Sequence, residues 1–169
     1  MGATGTSFPL DATIDEARQL YFRDNGFSEA MYSAPTIPLP IGRFTWNSPN
    51  PPARGRSIAI HDLHHVLTGF GTDNVGEAEI SAWEVGAGLG GRLVPWLISV
   101  PAAVLGTFRY PRRTLRAYRL GRRSRSLFGH EHEVSELLPL TVSEARVRMR
   151  IPPEGVASEP PGLNPLAPR

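Results

Sequence analysis

The chain has 169 residues, with 18 arginines, 16 acidic residues and neither lysine nor cysteine, which gives a formal net charge of +2. This length corresponds to one domain, and the lack of cysteine excludes disulfides, thiolate zinc fingers, thiolate-held iron–sulfur clusters and a cysteine nucleophile. A content of 40% hydrophobic and 20% charged residues is typical of a folded globular protein rather than a disordered one.

The N-terminal part of the chain predicts one helix and then a proline-rich connection. Thr13 and Glu16 have the spacing of a capping box, and Gly26 can end the helix, which we expect from about Asp11 to Asp24. The first twenty residues contain three acids and one arginine, unlike a transit peptide, so we expect no targeting segment and a cytoplasmic protein. Residues 33–55 contain six prolines and are expected to form an irregular extended connection.

Helical signals continue through the middle of the chain. Gly69 can end a helix that begins near Ser57, and Asn74 with Glu77 marks the start of the next helix. The apolar stretch Leu93–Phe108 contains two prolines and is shorter than a spanning helix of roughly 20 residues, so we expect a buried or membrane-touching helix. The predicted helices are Ser57–Thr68, Asn74 through Trp83, Leu93–Thr107 and Pro111–Leu120.

The C-terminal third gives weaker signals. A helix is predicted over Leu127–Leu138. Thr141 and Glu144 can cap a further helix, but the hydrophobic residues of 147–151 alternate with arginines as in a strand, so helix and strand both remain open there.

The domain organisation follows from these elements. No internal repeat is visible, and residues 1–151 are expected to form a single all-α domain. Residues 152–169 contain six prolines and are expected to form a disordered tail.

The segment 109–125 is strongly basic, with eight arginines and no acid. It directly follows the apolar stretch, an arrangement expected of an interfacial element, and it suggests an anionic membrane surface as partner. The alternative, that these arginines pair with acids elsewhere in the fold or at a dimer contact, remains open. A nucleic-acid partner is not expected, because the segment has only Tyr110 and Tyr118 as aromatic residues and no recognised binding motif surrounds it.

The motif HDLHH, which begins at His61, carries the chemistry of the sequence. On a helix at about 100° per residue, His61 and His65 lie one turn apart on one face, and Asp62 lies on its flank. Zinc sites in metalloprotease helices use this histidine spacing. A tight glycine-containing connection over 69–76 would fold the next helix back and add Glu77. Two nitrogens and two carboxylates suit Zn²⁺, and Fe²⁺ or Mn²⁺ is chemically admissible.

Other polar residues near this motif have less specific patterns. His64 is interpreted as a surface residue or as a group that supports the ligands, and the same two interpretations apply to Glu79 and Glu84. The stretch His130–Glu133 has metal-ligand residue types, but a solvated helix face explains it better.

Residues 61–83, HDLHHVLTGFGTDNVGEAEISAW, resemble the metal motif of the Coq-four family of ubiquinone (coenzyme Q) biosynthesis proteins, in which HDxxH is followed by eleven residues and Glu. The resemblance covers residues 57–90 and extends more weakly to residue 153. It implies an all-α fold with zinc between two adjacent helices, and the ligands would be His61, Asp62, His65 and Glu77. The chain is shorter than the family pattern at the N-terminus, and His64 replaces the usual aromatic or aliphatic residue.

The resemblance also implies a function. The family is associated with the membrane-bound ubiquinone pathway and binds a prenyl-lipid quinone precursor, so a peripheral location on the inner membrane and other quinone-biosynthesis proteins as partners are expected. A second copy of the chain, in a homodimer, is a further candidate partner. The implied reaction is oxidative removal of the ring carboxyl at C1 with hydroxylation of that carbon, which favours an enzyme of the lyase or oxidative decarboxylase type. Zinc is not redox active, so the oxidative step would need oxygen activated by the substrate, by a partner or by iron in the site.

Two alternative functions would use the same residues. One is a non-catalytic, metal-stabilised scaffold that binds prenyl lipids and presents them to other quinone-biosynthesis enzymes. The other is the same scaffold acting on a different lipid or secondary metabolite.

Overall fold

The structure is a computed structural model that describes residues 8–41, 43–91 and 93–157. Helices make up most of it. These residues form eight α-helices and one antiparallel hairpin of strands β1 (Thr36–Ile41) and β2 (Phe44–Pro49). The predicted all-α class, with a histidine and glutamate group between two adjacent helices, is confirmed. The helices are α1 (Ile14–Asn25), α2 (Ala30–Ser33), α3 (Pro52–Thr68), α4 (Asn74–Ala87), α5 (Leu93–Arg109), α6 (Pro111–Gly121), α7 (Val134–Leu137) and α8 (Val142–Arg148).

Two capping boxes fix the starts of α1 and α8. The Thr13 side chain accepts the backbone N–H of Glu16, whose carboxylate accepts the N–H of Thr13 at 2.8 Å. Thr141 and Glu144 form the same box at α8, which decides the competition between helix and strand in favour of helix. The hydrophobic alternation of 147–151 has another cause, because the chain leaves the helix there and buries Met149 and Ile151.

Residues 33–55, expected to be irregular, contain α2 and the hairpin instead. Pro38 and Pro40 lie within β1, opposite Asn47 and Thr45 of β2. Each strand of a two-stranded sheet has one unpaired edge, where the missing N–H of proline costs no ladder hydrogen bond. The prolines therefore do not prevent pairing.

The connection between α3 and α4 is as tight as the glycines predicted. Gly69 has φ of 81° and ends α3, a conformation that L side chains rarely adopt. A Cβ atom on Gly76 would lie 1.9 Å from the carbonyl oxygen of Gly71, so the chain can approach itself this closely only with glycine there. Asp73, rather than Asn74, caps α4 by accepting the N–H of Gly76 at 2.7 Å.

The helix expected over Leu127–Leu138 is interrupted. Gly129 has φ of 82°, outside the helical region, and a 3-10 turn at Glu131–Glu133 precedes the short α7. Leu127 and Phe128 are buried before this turn. Before the 3-10 turn, the stretch is held by these buried side chains, and helical hydrogen bonds resume only in the turn and in α7.

Part of the predicted disordered tail packs on the domain. Val156 is buried, and its N–H donates to the carbonyl of Thr68 at 2.9 Å. The buried Arg146 guanidinium binds the carbonyl oxygens of Leu67 and Pro153. Residues 152–157 therefore cover the end of α3, while residues 158–169 of the predicted tail lie outside the described residues.

The apolar and basic helices have nearly their predicted bounds, as α5 and α6. Both pack against α4, and Trp83 of α4 is fully buried in the core. Over the part of the chain that the structure describes, no helix combines the length and the apolar character needed to cross a membrane.

Candidate metal centre

Three side chains from α3 and α4 converge on one point. The Nε2 atoms of His61 and His65 are 3.2 Å apart, as expected for residues one turn apart on one helix face. Glu77, in the first turn of α4, places its Oε2 atom 3.3 Å from His61 Nε2 and its Oε1 atom 3.5 Å from His65 Nε2. Three of the four predicted ligands are therefore brought together.

The Nδ1 atom of each of these two imidazoles, which faces away from the other ligands, has a hydrogen-bond acceptor. His65 Nδ1 lies 3.0 Å from the carbonyl oxygen of Phe70, and because a carbonyl only accepts, this nitrogen carries the proton. Neutral His65 consequently has its lone pair on Nε2. His61 Nδ1 donates to the Glu84 carboxylate at 2.9 Å, so a neutral His61 would also present a lone pair at Nε2.

The donor set fits a divalent cation. Two facing lone pairs and a carboxylate repel one another unless a proton or a cation lies among them. Tetrahedral zinc with bonds of about 2.0–2.1 Å separates its ligand atoms by about 3.3–3.4 Å. The three observed separations of 3.2, 3.3 and 3.5 Å are close to that edge length. His61, His65 and Glu77 can thus hold a metal without moving far.

The surrounding charges favour a cation as well. Desolvation would raise the pKa of Glu77, but the imidazoles of His65 and His61, when protonated, lower it to about 2 through their charge and their hydrogen bonds. Burial would lower the pKa of His61, but the charges and hydrogen bonds of Glu84 and Glu77 raise it well above its usual value. Two carboxylates are therefore ionised around the pair of imidazoles.

The structure does not bring Asp62 into this group. Its Oδ1 accepts the hydroxyl of Tyr21 at 2.9 Å, and its Oδ2 accepts the hydroxyl of Tyr32 at 2.7 Å. Asp62 is about 100° from His61 around the helix, so it faces α1 and α2 instead of α4. Burial raises the pKa of Asp62, against the opposing effects of His61 and the tyrosine hydrogen bonds. Tyr21 also stacks on the His65 ring, with centroids 5.7 Å apart.

Glu84 is the centre of a buried polar network behind the ligands. One of its oxygens accepts His61 Nδ1 at 2.9 Å and His64 Nδ1 at 2.8 Å, and the other accepts the Ser99 hydroxyl at 2.6 Å. His64 Nε2 accepts the N–H of Leu127 at 2.9 Å, so His64 is neutral with its proton on Nδ1. Burial lowers the pKa of His64 in agreement with this assignment.

Both Glu84 and His64 thus support the ligands, which was one of the two interpretations of the sequence. Burial would raise the pKa of Glu84, but the charge of His61 and the hydrogen bonds from His61 and His64 lower it below the usual range. The sequence position of Glu84 could have indicated this role, since Glu77 and Glu84 are seven residues apart and share one face of α4. Ser99 of α5 carried no sequence signal.

Two of the remaining acidic residues that the sequence offered as candidate ligands form ion pairs within the fold. Glu79 is buried and binds the Arg113 guanidinium at 2.9 and 3.0 Å. Glu133 binds Arg125 at 2.8 Å, and the stretch His130–Glu133 forms a 3-10 turn. Within the described ranges, no other group of three potential ligands comes together besides the one on α3 and α4.

Comparison with known proteins gave no relative: no family model matches the chain, and no curated protein matches it significantly.

Proposed function

We propose that the chain is a metal-dependent enzyme of ubiquinone biosynthesis that acts on a prenylated aromatic acid and removes its C1 carboxyl group. The observation that carries the metal part is the convergence of His61 Nε2, His65 Nε2 and the Glu77 carboxylate, with both Nδ1 protons fixed by acceptors. The substrate class rests on the resemblance of residues 61–83 to the Coq-four motif.

The three ligands leave room for a substrate oxygen. The side chain of Glu77 is 44% exposed, whereas His65 is almost fully buried, so the group opens to solvent on the side of α4. A bound divalent metal would supply a Lewis acid that polarises a carboxylate or phenolate oxygen. His61, His65 and Glu77 would bind it from one side, and the fourth position would be available to the substrate.

The donor types fit zinc, iron or manganese. Replacement of the carboxyl group by a hydroxyl group releases CO₂ and is a two-electron oxidation, which balances with dioxygen and water when hydrogen peroxide is the second product. Loss of the carboxyl group as CO₂ with protonation of the ring carbon requires no oxidant. Iron would support the oxidative reaction and zinc the simple decarboxylation, so the identity of the metal decides between the two reactions.

The proposal is tested with purified, metal-loaded protein and a prenylated hydroxybenzoate. We expect release of CO₂ by the wild type and loss of turnover in Glu77→Ala, because that variant removes one of three metal ligands. Glu29→Ala, which changes an exposed carboxylate distant in sequence from the motif, is the matched control and should retain turnover.

Two outcomes would contradict the proposal. A lipid that binds without turnover, with and without dioxygen, would assign the chain to the non-catalytic scaffold. Turnover that is equal in the wild type and Glu77→Ala would remove the metal group from the reaction. Restoration of ubiquinone in cells that lack the family member, by the wild type but not by Glu77→Ala, would support the pathway assignment.

A further inference from the structure

Helix α5 exposes a continuous apolar surface. Its large outward side chains include Leu93, Leu97, Leu105 and Phe108, which are 70%, 63%, 69% and 84% exposed. These positions recur at intervals of three, four and eight residues, so they form one stripe along the helix. Trp96 and Val104 are exposed beside them. A stripe of this size on a helix of 17 residues marks an interaction surface.

An apolar groove continues this stripe toward α6. The groove has a volume of about 250 Å³. Its walls carry small and apolar side chains of α4, α5 and α6, among them Val85, Val100, Ala103 and Leu115. Val104 belongs to both the stripe and the groove, so the two form one surface.

The face of α6 that borders this groove is basic, because the exposed Arg112 and Arg119 lie within about 60° of the groove residue Leu115 around the helix. From residue 85 to residue 130 the chain contains no acidic residue. Arg113 and Arg125 are held by Glu79 and Glu133, which confirms the pairing interpretation for those two. Five further arginines are exposed and have no ion pair among the described residues, namely Arg109, Arg112, Arg119, Arg122 and Arg123.

We propose that the stripe of α5, the groove and these arginines form one surface that docks on an anionic lipid bilayer. The helix would lie in the plane of the interface, with its apolar stripe at the acyl boundary and the arginines on lipid phosphates. This inference is independent of the proposed function, since it uses no residue of the metal group.

The charge distribution argues for a bilayer over a second copy of the chain. A symmetric contact through this surface would place the arginines of α6 opposite or beside those of the partner, with no acid in the segment to neutralise them. An anionic bilayer complements the apolar and the basic part at once. Lipid phosphates, unlike soluble phosphates, are attached to acyl chains that can contact the apolar stripe.

The test is flotation of the full chain with vesicles of phosphatidylcholine, with and without phosphatidylglycerol. We expect co-flotation with the anionic vesicles, weakened by salt because the attraction of exposed charges is screened. Arg112→Gln, Arg119→Gln and Arg122→Gln together should lower the partition coefficient roughly 100-fold, about fivefold for each arginine. The matched control neutralises three exposed arginines elsewhere in the fold, Arg23, Arg56 and Arg150, and should bind almost as the wild type does.

A second readout reports on the stripe itself. In a Trp46→Phe background, the remaining tryptophans are the buried Trp83 and the half-exposed Trp96 of α5. Emission from Trp96 should shift to the blue when anionic vesicles are added. Replacement of Leu97, Leu105 and Phe108 by Ser should abolish the shift without unfolding, because these side chains are exposed.

Three results would overturn the proposal. They are equal recovery with neutral and anionic vesicles, an equal loss of binding in the control arginine variant, and an unchanged Trp96 emission in bound protein. A dimer in solution that the Ser variant dissociates would assign the surface to a contact between copies of this chain.

Discussion

The Nδ1 proton of each histidine at the centre of this protein is fixed by one hydrogen-bond acceptor. Glu84 accepts hydrogen bonds from His61, His64 and Ser99, which together use three of the roughly four acceptor sites of its carboxylate. Carboxylates that accept the outer N–H of a ligating histidine fix its tautomer and increase its basicity. Glu84 is therefore a positioning residue that acts through His61.

The substitution Glu84→Gln tests that role. The amide would keep the shape of the side chain but remove the negative charge, so we expect divalent-metal affinity to fall about 10–100-fold, measured by competition with a chelator. Glu79→Gln alters another buried carboxylate of α4, one that binds Arg113, and should lower stability without changing affinity. Equal affinities of Glu84→Gln and the wild type would contradict the assignment.

Asp62 gives a second test at the scale of one residue. Because its oxygens accept the hydroxyls of Tyr21 and Tyr32, Asp62→Asn should leave metal stoichiometry unchanged. It should lower the free energy of unfolding by about 1–3 kcal/mol, as buried hydrogen bonds are weakened. Loss of the metal as complete as in His61→Ala would instead show that Asp62 is a ligand, as the resemblance implied.

At the scale of elements, the position of α4 depends on close backbone contact with α6. A Cβ atom on Gly121 would lie 2.1 Å from the carbonyl oxygen of Trp83, and one on Gly86 would lie 2.3 Å from that of Tyr118. Both clashes are with backbone, which cannot rotate away as a side chain can. Since α4 carries Glu77 and Glu84, this crossing sets the distance of both carboxylates from α3.

We therefore expect Gly121→Ala to destabilise the fold by about 1–3 kcal/mol or more, through overpacking at the crossing of α4 and α6. The midpoint of urea unfolding measures the effect. Gly91→Ala is the control, because a Cβ atom there meets nothing within 4 Å. An equal midpoint for Gly121→Ala and the wild type would show that the two helices do not need this close approach.

The elements also show what the sequence can predict. Local signals such as the capping boxes of Thr13 and Thr141 and the glycine that ends α3 were sufficient for most helices, because they act within a few residues. The hairpin is also local, with Ile41 opposite Phe44, but the six prolines of residues 33–55 concealed it. The interrupted stretch after Leu127, in contrast, depends on contacts between residues distant in the sequence. Leu127, for example, is held by His64, 63 positions earlier in the chain.

The same distinction applies to the candidate centre. The histidine spacing and the glycine connection were enough to predict the approach of Glu77 to His61 and His65. The helical angle alone could not show that Asp62 would meet Tyr21 and Tyr32, since those partners come from α1 and α2.

At the scale of the whole molecule, the centre joins most of the chain. Helices α3 and α4 supply the ligands, α1 and α2 supply the tyrosines that hold Asp62, and α5 supplies Ser99. A metal bound there would therefore stabilise the packing of five helices at once, because binding to the native state alone shifts the folding equilibrium.

Removal of the metal should accordingly lower the melting temperature. We expect prolonged dialysis against a chelator to lower it by several degrees in the wild type, and readdition of the ion to restore it. The His65→Ala variant, which lacks one ligand, should melt at the same temperature before and after the treatment. A wild-type melting temperature that the chelator does not change would mean that any bound ion does not contribute to stability.

The metal content of the purified protein tests the central claim most directly. Elemental analysis should find about one divalent ion per chain in the wild type, and a loss of that ion in the double variant His61→Ala and His65→Ala. Glu29→Ala should keep the ion. Full occupancy in the double variant, or a folded wild type that binds no divalent ion when zinc, iron and manganese are each supplied, would contradict the account.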